Sequence, residues 1–195
     1  MLTNVWPRIT DSPGKLVVTN PTDAELVEAC LAGRRDAFDT IVERHRRQVY
    51  QLCYRFVGNH EDASDLAQDV FVRAYRGLHR FKGHASLATW LYRISVNVSL
   101  NRVSARRPIT SPITEQRLIS AADSPADLVL REERAEQVRA AIARLPKKQR
   151  ATLILRMYHE LPHDQIASVL GSSVGAVKAN FFHALNNLKK LLGTI

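Results

Sequence analysis

The sequence predicts an all-α protein made of two small helical domains joined by a flexible linker, the C-terminal one containing a helix-turn-helix. Three observations carry this. Apolar residues recur at three- and four-residue spacing almost from end to end, alternating strand patterns are nearly absent, and the helical pattern lapses over one internal stretch. That stretch, "PITSPITEQRLISAADS" at 108–124, holds two Pro and five Ser or Thr without a sustained period, which is linker chemistry. At 195 residues and 45% hydrophobic content the chain has material for two small cores. The expected division is an extension over 1–21, a first domain over 22–107, a linker over 108–125 and a second domain over 126–195.

Taken in order, Asp23 reads as the N-cap of a short helix to about Ala32, with Leu26, Val27, Cys30 and Leu31 on one face. A long helix from about Arg34 to Val57 follows. It turns Phe38, Ile41, Val42, Val49, Leu52, Cys53 and Phe56 inward, and Gly58-Asn59 ends it. The third helix, "HEDASDLAQDVFVRAYRGLHRF", puts Leu66, Ala67, Val70, Phe71, Ala74 and Leu78 inside. The loop "KGHAS" leads to a fourth, "LATWLYRISVNVSLNRVSARR", which closes in a basic cluster before Pro108. Beyond the linker come "ADLVLREERAEQVRAAIARL", "KKQRATLILRMYH", a helix after Pro162 and a last one from about Ser173 to Leu192. Cys30 and Cys53 lie among apolar neighbours and read as small core residues, not as a disulfide framework.

Charge and motif narrow the function. A net charge of +9 and a pI near 10 point to a polyanionic partner, nucleic acid ahead of a membrane surface. No apolar run approaches the roughly 20 residues that span a bilayer, and no signal peptide is evident, so a cytoplasmic protein without membrane insertion is expected. The pentapeptide "HELPH", His159 to His163, matches the zinc-protease pattern, which needs both His on one unbroken helix. Pro162 breaks that helix between them. Neither metal nor cofactor is expected, and both His read as surface residues. The same Pro suits a first helical turn, and with His163 as position 1 of a helix-turn-helix, Ile166, Ala167, Leu170, Gly171 and Val177 fall at positions 4, 5, 8, 9 and 15. Ala lets the helices touch, Gly supplies a positive φ at the turn, and the aliphatic residues form the small core.

The segments "DASDLAQDVFVRAYRGLHRF" and "TWLYRISVNVSLNRVSARR" closely resemble the second domain of bacterial extracytoplasmic-function sigma factors. "LPKKQRATLILRMYHELPHDQIASVLGSSVGAVK" resembles their fourth domain, and the two appear in the family's order. The resemblance implies a protein that is not itself an enzyme. Such a protein binds core RNA polymerase, directs it to promoters with particular minus-35 and minus-10 elements, and helps open the duplex. It implies that Asp62, Asp65, Gln68 and Asp69 form an acidic ridge docking on the clamp helices of the largest polymerase subunit. Lys82, Ser86, Arg93, Asn97, Asn101 and Arg102 become the candidate minus-10 readers, Asn97 foremost because an amide both donates to and accepts from a base edge.

Trp90 and Tyr92 admit either base stacking or core packing, and the helical spacing of Trp90 with Leu87, Leu91 and Ile94 favours packing. Arg106 and Arg107 are candidates for phosphate contacts. Ser172, Ser173, Lys178, Asn180 and His183 are the candidate minus-35 residues, Ser172 or Ser173 capping the recognition helix. Where many relatives carry several Arg in that helix, this chain has "GAVKANFFHALNNLKK". Its Ala176, Ala179, Phe181 and Phe182 imply an unusual promoter class, read more through DNA shape. An anti-sigma factor is the further partner implied. The alternative from another class is a two-domain helix-turn-helix regulator that does not replace the sigma subunit.

Overall fold

A computed structural model describes residues 20–105 and 125–193, and every regular element among them is helical. The elements are α1 (Asp23–Leu31), α2 (Arg35–Val57), α3 (His60–Gly77, prolonged by a 3₁₀ turn at Leu78–Arg80), α4 (Leu87–Ala105), α5 (Pro125–Ala143), α6 (Lys147–Met157), α7 (His163–Leu170) and α8 (Val174–Leu192). Arg106, Arg107, the linker 108–124 and residues 1–19 of the extension lie outside the described residues.

Local chemistry sets most boundaries. Thr22, not Asp23, caps α1: its hydroxyl accepts from the Glu25 amide at 3.3 Å while Glu25 takes the Thr22 amide at 2.6 Å, a reciprocal capping box. Asp23 is thereby released to face α2, where its carboxylate accepts from Arg44 at 2.6 Å and meets His45 at 3.1 Å. Leu31 is 54% exposed, against expectation. At 100° per residue it lies roughly 90° off the arc that Leu26, Val27 and Cys30 turn inward. Gly58, at φ 78°, ends α2 in the left-handed conformation and returns its amide to the Tyr54 carbonyl. Asn59 then caps α3 by accepting from the Asp62 amide at 2.9 Å.

The first four helices enclose a core of Leu26, Ile41, Val49, Cys53, Leu66, Val70 and Leu91. Burial pushes the Cys53 thiol up to about 11 and raises that of Cys30, where Asp36 and Asp39 add to the effect. Thiols so held are poor nucleophiles. In the second half Ile154, Leu155, Ile166, Val177 and Ala184 join α6, α7 and α8. Gly171, at φ 58°, makes the turn between α7 and α8, and Ile166 and Val177 are fully buried on either side of it.

The linker led to the expectation of two domains moving separately. The structure instead packs the halves over a shared seam. Leu52 and Phe56 of α2 and Tyr92 and Val96 of α4 belong to the same apolar cluster as Leu155, Ile166 and Val177. Polar bonds cross it too. Arg150 of α6, only 6% exposed, donates to the Phe56 carbonyl at the end of α2 and reaches the Ala143 carbonyl at 3.4 Å. Arg93 of α4 donates to the Ser168 carbonyl of α7, and the Arg55 guanidinium lies 4.2 Å from the centre of the Tyr158 ring.

His159 sits in this seam, its ring 5.2 Å from that of Tyr92, and its Nε2 is buried with no hydrogen-bond partner among the described residues. This corrects the surface reading. Burial, helped by the nearby Arg55 charge, pushes its imidazole down from the ordinary 6.5 to about 4. The packed state therefore accommodates neutral imidazole. Because the packed-state pKa is depressed, its contribution to stability is complete above pH 6.5 and is lost as pH falls from 6.5 towards 4, at about 1.4 kcal/mol per pH unit. Thermal melts across that window should show a falling midpoint, and His159→Gln, which cannot titrate, should flatten the slope. An identical slope in both proteins would place the pH dependence elsewhere.

Candidate polymerase and promoter interfaces

The acidic ridge is smaller than the sequence implied. On α3, Asp65 and Gln68 are exposed, and Asp69 is half exposed and paired with Arg73 at 2.9 Å. Asp62 is 4% exposed. Its carboxylate accepts from Asn59 at 2.6 Å and from Arg102 of α4 at 2.8 Å, so it ties the first turn of α3 to the end of α4. Two residues assigned to different surfaces thus bind each other. The physical reason is position: Asp62 falls next to Ala63 and Leu66, on the buried side of the first turn. The same pairing raises the Arg102 pKa and holds one end of its guanidinium in place.

Beside the ridge lies a groove that sequence reasoning missed. Phe38, Asp39 and Val42 of α2 line one wall, and Gln68, Phe71, Val72, Tyr75 and Arg76 of α3 line the other. Val72 and Tyr75 are exposed apolar residues, the Tyr75 ring standing edge-on to Phe38 at 4.9 Å. A signal was present: Val72 and Tyr75 follow Gln68 at i+4 and i+7, on the polar side of a helix whose apolar stripe is Leu66, Val70 and Ala74.

On α4, Arg93, Asn97 and Asn101 recur every four residues on one exposed line, and Lys82 is exposed in the preceding loop. Not all the candidates are available to a ligand. Ser86 accepts from the Thr89 amide at 3.1 Å and caps α4, and Arg93 is engaged with Ser168. Asn97 and Asn101 are left as the exposed amides. Trp90 packs against Phe81 at 5.3 Å and over Gly77, while Tyr92 is buried in the seam, so both are core residues here.

Ser173 caps the recognition helix α8, its hydroxyl accepting from the Ala176 amide at 3.2 Å. Ser172 is half-buried in the turn and gives its amide to the Ala167 carbonyl. Lys178 and His183 are exposed, and Asn180 turns its amide back to the Ala176 carbonyl at 2.9 Å. Phe182 is 62% exposed, an apolar side chain on an otherwise polar reading face. The "HELPH" histidines do not share a helix: α6 ends at Met157, Glu160 has φ 53°, and α7 begins after Pro162. Among the described residues no cluster of three or more His, Cys, Asp or Glu could hold a metal.

Residues 41–109, from α2 through α4, match the family model of Sigma-70 region 2, and residues 135–188, from α5 through α8, match that of Sigma-70, region 4. The chain is 34% identical over 186 residues to the RNA polymerase sigma-H factor of Pseudomonas aeruginosa, covering 90% of this chain and 96% of that one. It is 32% identical over 170 residues to the ECF RNA polymerase sigma factor SigW of Bacillus subtilis, covering 82% and 91%. The chain belongs to the extracytoplasmic-function sigma factors.

It is therefore an alternative sigma factor, a regulatory initiation factor that directs promoter-specific transcription. A helix-turn-helix regulator that leaves the sigma subunit in place would not account for both regions in this order. Among solved structures this sigma factor is similar to CnrH in complex with the cytosolic domain of CnrY, with TM-score 0.65, 25% identity, and coverage of 87% of this chain and 96% of that chain. It shares its fold with RpoE of Bartonella quintana, solved with the anti-sigma factor NepR, at TM-score 0.62 and 20% identity over 80% and 96% of the two chains. No helix among its described residues is long and apolar enough to cross a membrane.

The geometry separates Asp62 from its neighbours in region 2. Asp62→Ala removes a charge-assisted bond and leaves Arg102 without that carboxylate, so it should cost about 1.5–3 kcal/mol of stability. Asp65→Ala, on an exposed helical position, should stay within about 0.5 kcal/mol. Urea unfolding of both variants measures the difference, and equal midpoints would show that the Asp62–Arg102 pair contributes nothing.

Proposed function

We propose that the exposed residues of α3 dock this sigma factor on the clamp helices of the largest subunit of core polymerase. Asp65, Gln68 and Asp69 supply the hydrogen-bonding ridge, and the adjoining groove with Val72 and Tyr75 supplies apolar area. The observation that carries this is the juxtaposition of exposed acceptors and exposed apolar side chains along one side of α3, the mixture that protein interfaces use for register and for burial. Asp62 acts from beneath, holding α3 to α4.

In this reading Lys82, Arg93, Asn97 and Asn101 face the minus-10 element. Cations follow the phosphates while the two amides contact bases exposed by melting. Ser86 and Arg102 position the surface by capping α4 and by binding Asp62. On α8, Lys178 and His183 reach the minus-35 duplex, Ser172 and Ser173 set the start of the helix against the backbone phosphates, and Asn180 joins once its amide leaves the Ala176 carbonyl. The two functional units are residues 22–107 and 126–195. The protein acts in the cytoplasm, carries no catalytic activity of its own and needs no cofactor. An anti-sigma factor is its third partner, a reading supported by the likeness to CnrH bound to the cytosolic domain of CnrY.

Run-off transcription with purified core polymerase and genomic fragments tests the whole reading and reveals the promoter. On that promoter, Asn97→Ala should shrink the permanganate footprint of the melted region. A lost base contact costs about 1–3 kcal/mol, while the melting temperature of the exposed-site variant should stay close to wild type. An unchanged footprint with a sharply lowered melting temperature would make Asn97 structural.

Docking and minus-35 recognition should also separate. The double variant Asp65→Ala, Gln68→Ala spares the helix, since Ala is the best helix former, and should weaken core binding about tenfold or more. Lys178→Ala, Asn180→Ala should keep core affinity and weaken promoter binding, with the salt dependence flattened by about one counterion if Lys178 meets phosphate. Titrating labelled core polymerase and labelled promoter checks both. Intact core binding in the first double variant would remove the docking role from α3.

A further inference from the structure

We infer that the seam between the two halves is a self-masking latch: in the closed form α7 lies against α4, and the halves must separate before both promoter elements can be engaged. The inference rests on the reading of α4 and α8 as the DNA-facing helices. The first support is a shared side chain. Arg93 stands on the same exposed line as Asn97 and Asn101, and it is spent on the Ser168 carbonyl of α7. A cation committed to a protein carbonyl is not at the same time on a phosphate, and the helix that provides the carbonyl stands beside the surface that melted DNA would approach.

The second support is size. Elements named minus-35 and minus-10 lie about 25 base pairs apart, which along B-form DNA is on the order of 80 Å at 34–36 Å per turn. A compact chain of this length has a radius of gyration of about 16 Å and is about 40 Å across. The closed form is too short by about half. Separation can supply the difference, because the 19 residues from 106 to 124 can reach at most about 60 Å when extended.

The third support is the chemistry of the seam. Its apolar residues, Leu52, Phe56, Tyr92 and Val96, hold the halves together, and Arg150 fastens them by capping the end of α2 at the Phe56 carbonyl. That carbonyl belongs to the last turn of α2, where helical partners run out and a cation meets the negative end of the helix dipole. The ridge and groove on α2 and α3 are exposed in the same closed form. Polymerase can therefore dock on closed protein, and promoter binding becomes conditional on whatever favours the open state.

A reversible bridge across the seam tests this away from either DNA surface. Arg55 and Tyr158 face each other across it. A chain carrying Arg55→Cys, Tyr158→Cys and Cys30→Ser leaves Cys53 fully buried, and the two new thiols can be joined by a thiol-cleavable bis-maleimide. The bridged protein should bind core polymerase like the cleaved protein but give at least tenfold less run-off transcript, and cleavage should restore it. Equal transcript from bridged and cleaved samples overturns the inference.

The second arm is Arg150→Gln without a bridge. It should raise the radius of gyration measured by X-ray scattering and strengthen binding to a promoter fragment without polymerase, at unchanged helix content. Unchanged dimensions and binding would remove Arg150 as the fastener. The Asn97→Ala footprint tests the DNA-facing reading independently, so the two readings fail separately.

Discussion

A guanidinium buried to the extent of Arg150 has to find acceptors, and the ones it finds dictate how the two halves meet. Taking a cation out of water costs several kcal/mol unless hydrogen bonds replace the hydration. Burial lowers the Arg150 pKa to about 10, which leaves it charged at neutral pH and makes the need for acceptors permanent. Its own half offers the Ala143 carbonyl at the end of α5, and the other half offers the Phe56 carbonyl at the end of α2. One side chain thus closes two helix termini at once. The apolar cluster of Leu52, Phe56, Tyr92 and Val96 surrounds this bond and keeps water from competing with it.

The same economy recurs in the first half, where residues of the promoter-facing helix also hold the fold. Arg102 binds Asp62, Ser86 caps α4, and Arg93 reaches α7. Short polar side chains near a helix start prefer local backbone partners, and a buried carboxylate recruits the nearest cation. The residues left for recognition are those whose positions on α4 face away from every neighbouring element, chiefly Asn97 and Asn101. On α3 the equivalent sorting leaves Asp65 and Gln68 outside and draws Asp62 in.

The docking face differs from the DNA faces in how it is built. Val72 and Tyr75 break the polar side of α3, and the groove they share with Phe38 and Val42 keeps apolar area in contact with water. Exposed area of this kind is favourable to bury on a partner and costs little to maintain on a helix already anchored by Leu66, Val70 and Ala74. The DNA-facing residues rely on polar groups and are sheltered or engaged in the closed form.

Periodicity, caps and breakers were enough to determine the eight helices in order, the turn at Gly171 and the end of α2 at Gly58, because these follow from local backbone preferences and from spacing along one helix. The motifs also established the family. Three things depended on the tertiary structure. Asp62 and His159 moved from the surface to the interior, since a polar residue at the edge of an apolar arc is placed by its neighbours in space. The groove appeared only when α2 came to lie beside α3. The seam formed because Leu52, Phe56, Tyr92 and Val96 satisfy a helical pattern equally well whether they face their own half or the other one. A one-dimensional pattern says that a face is buried, and only the folded chain says against what.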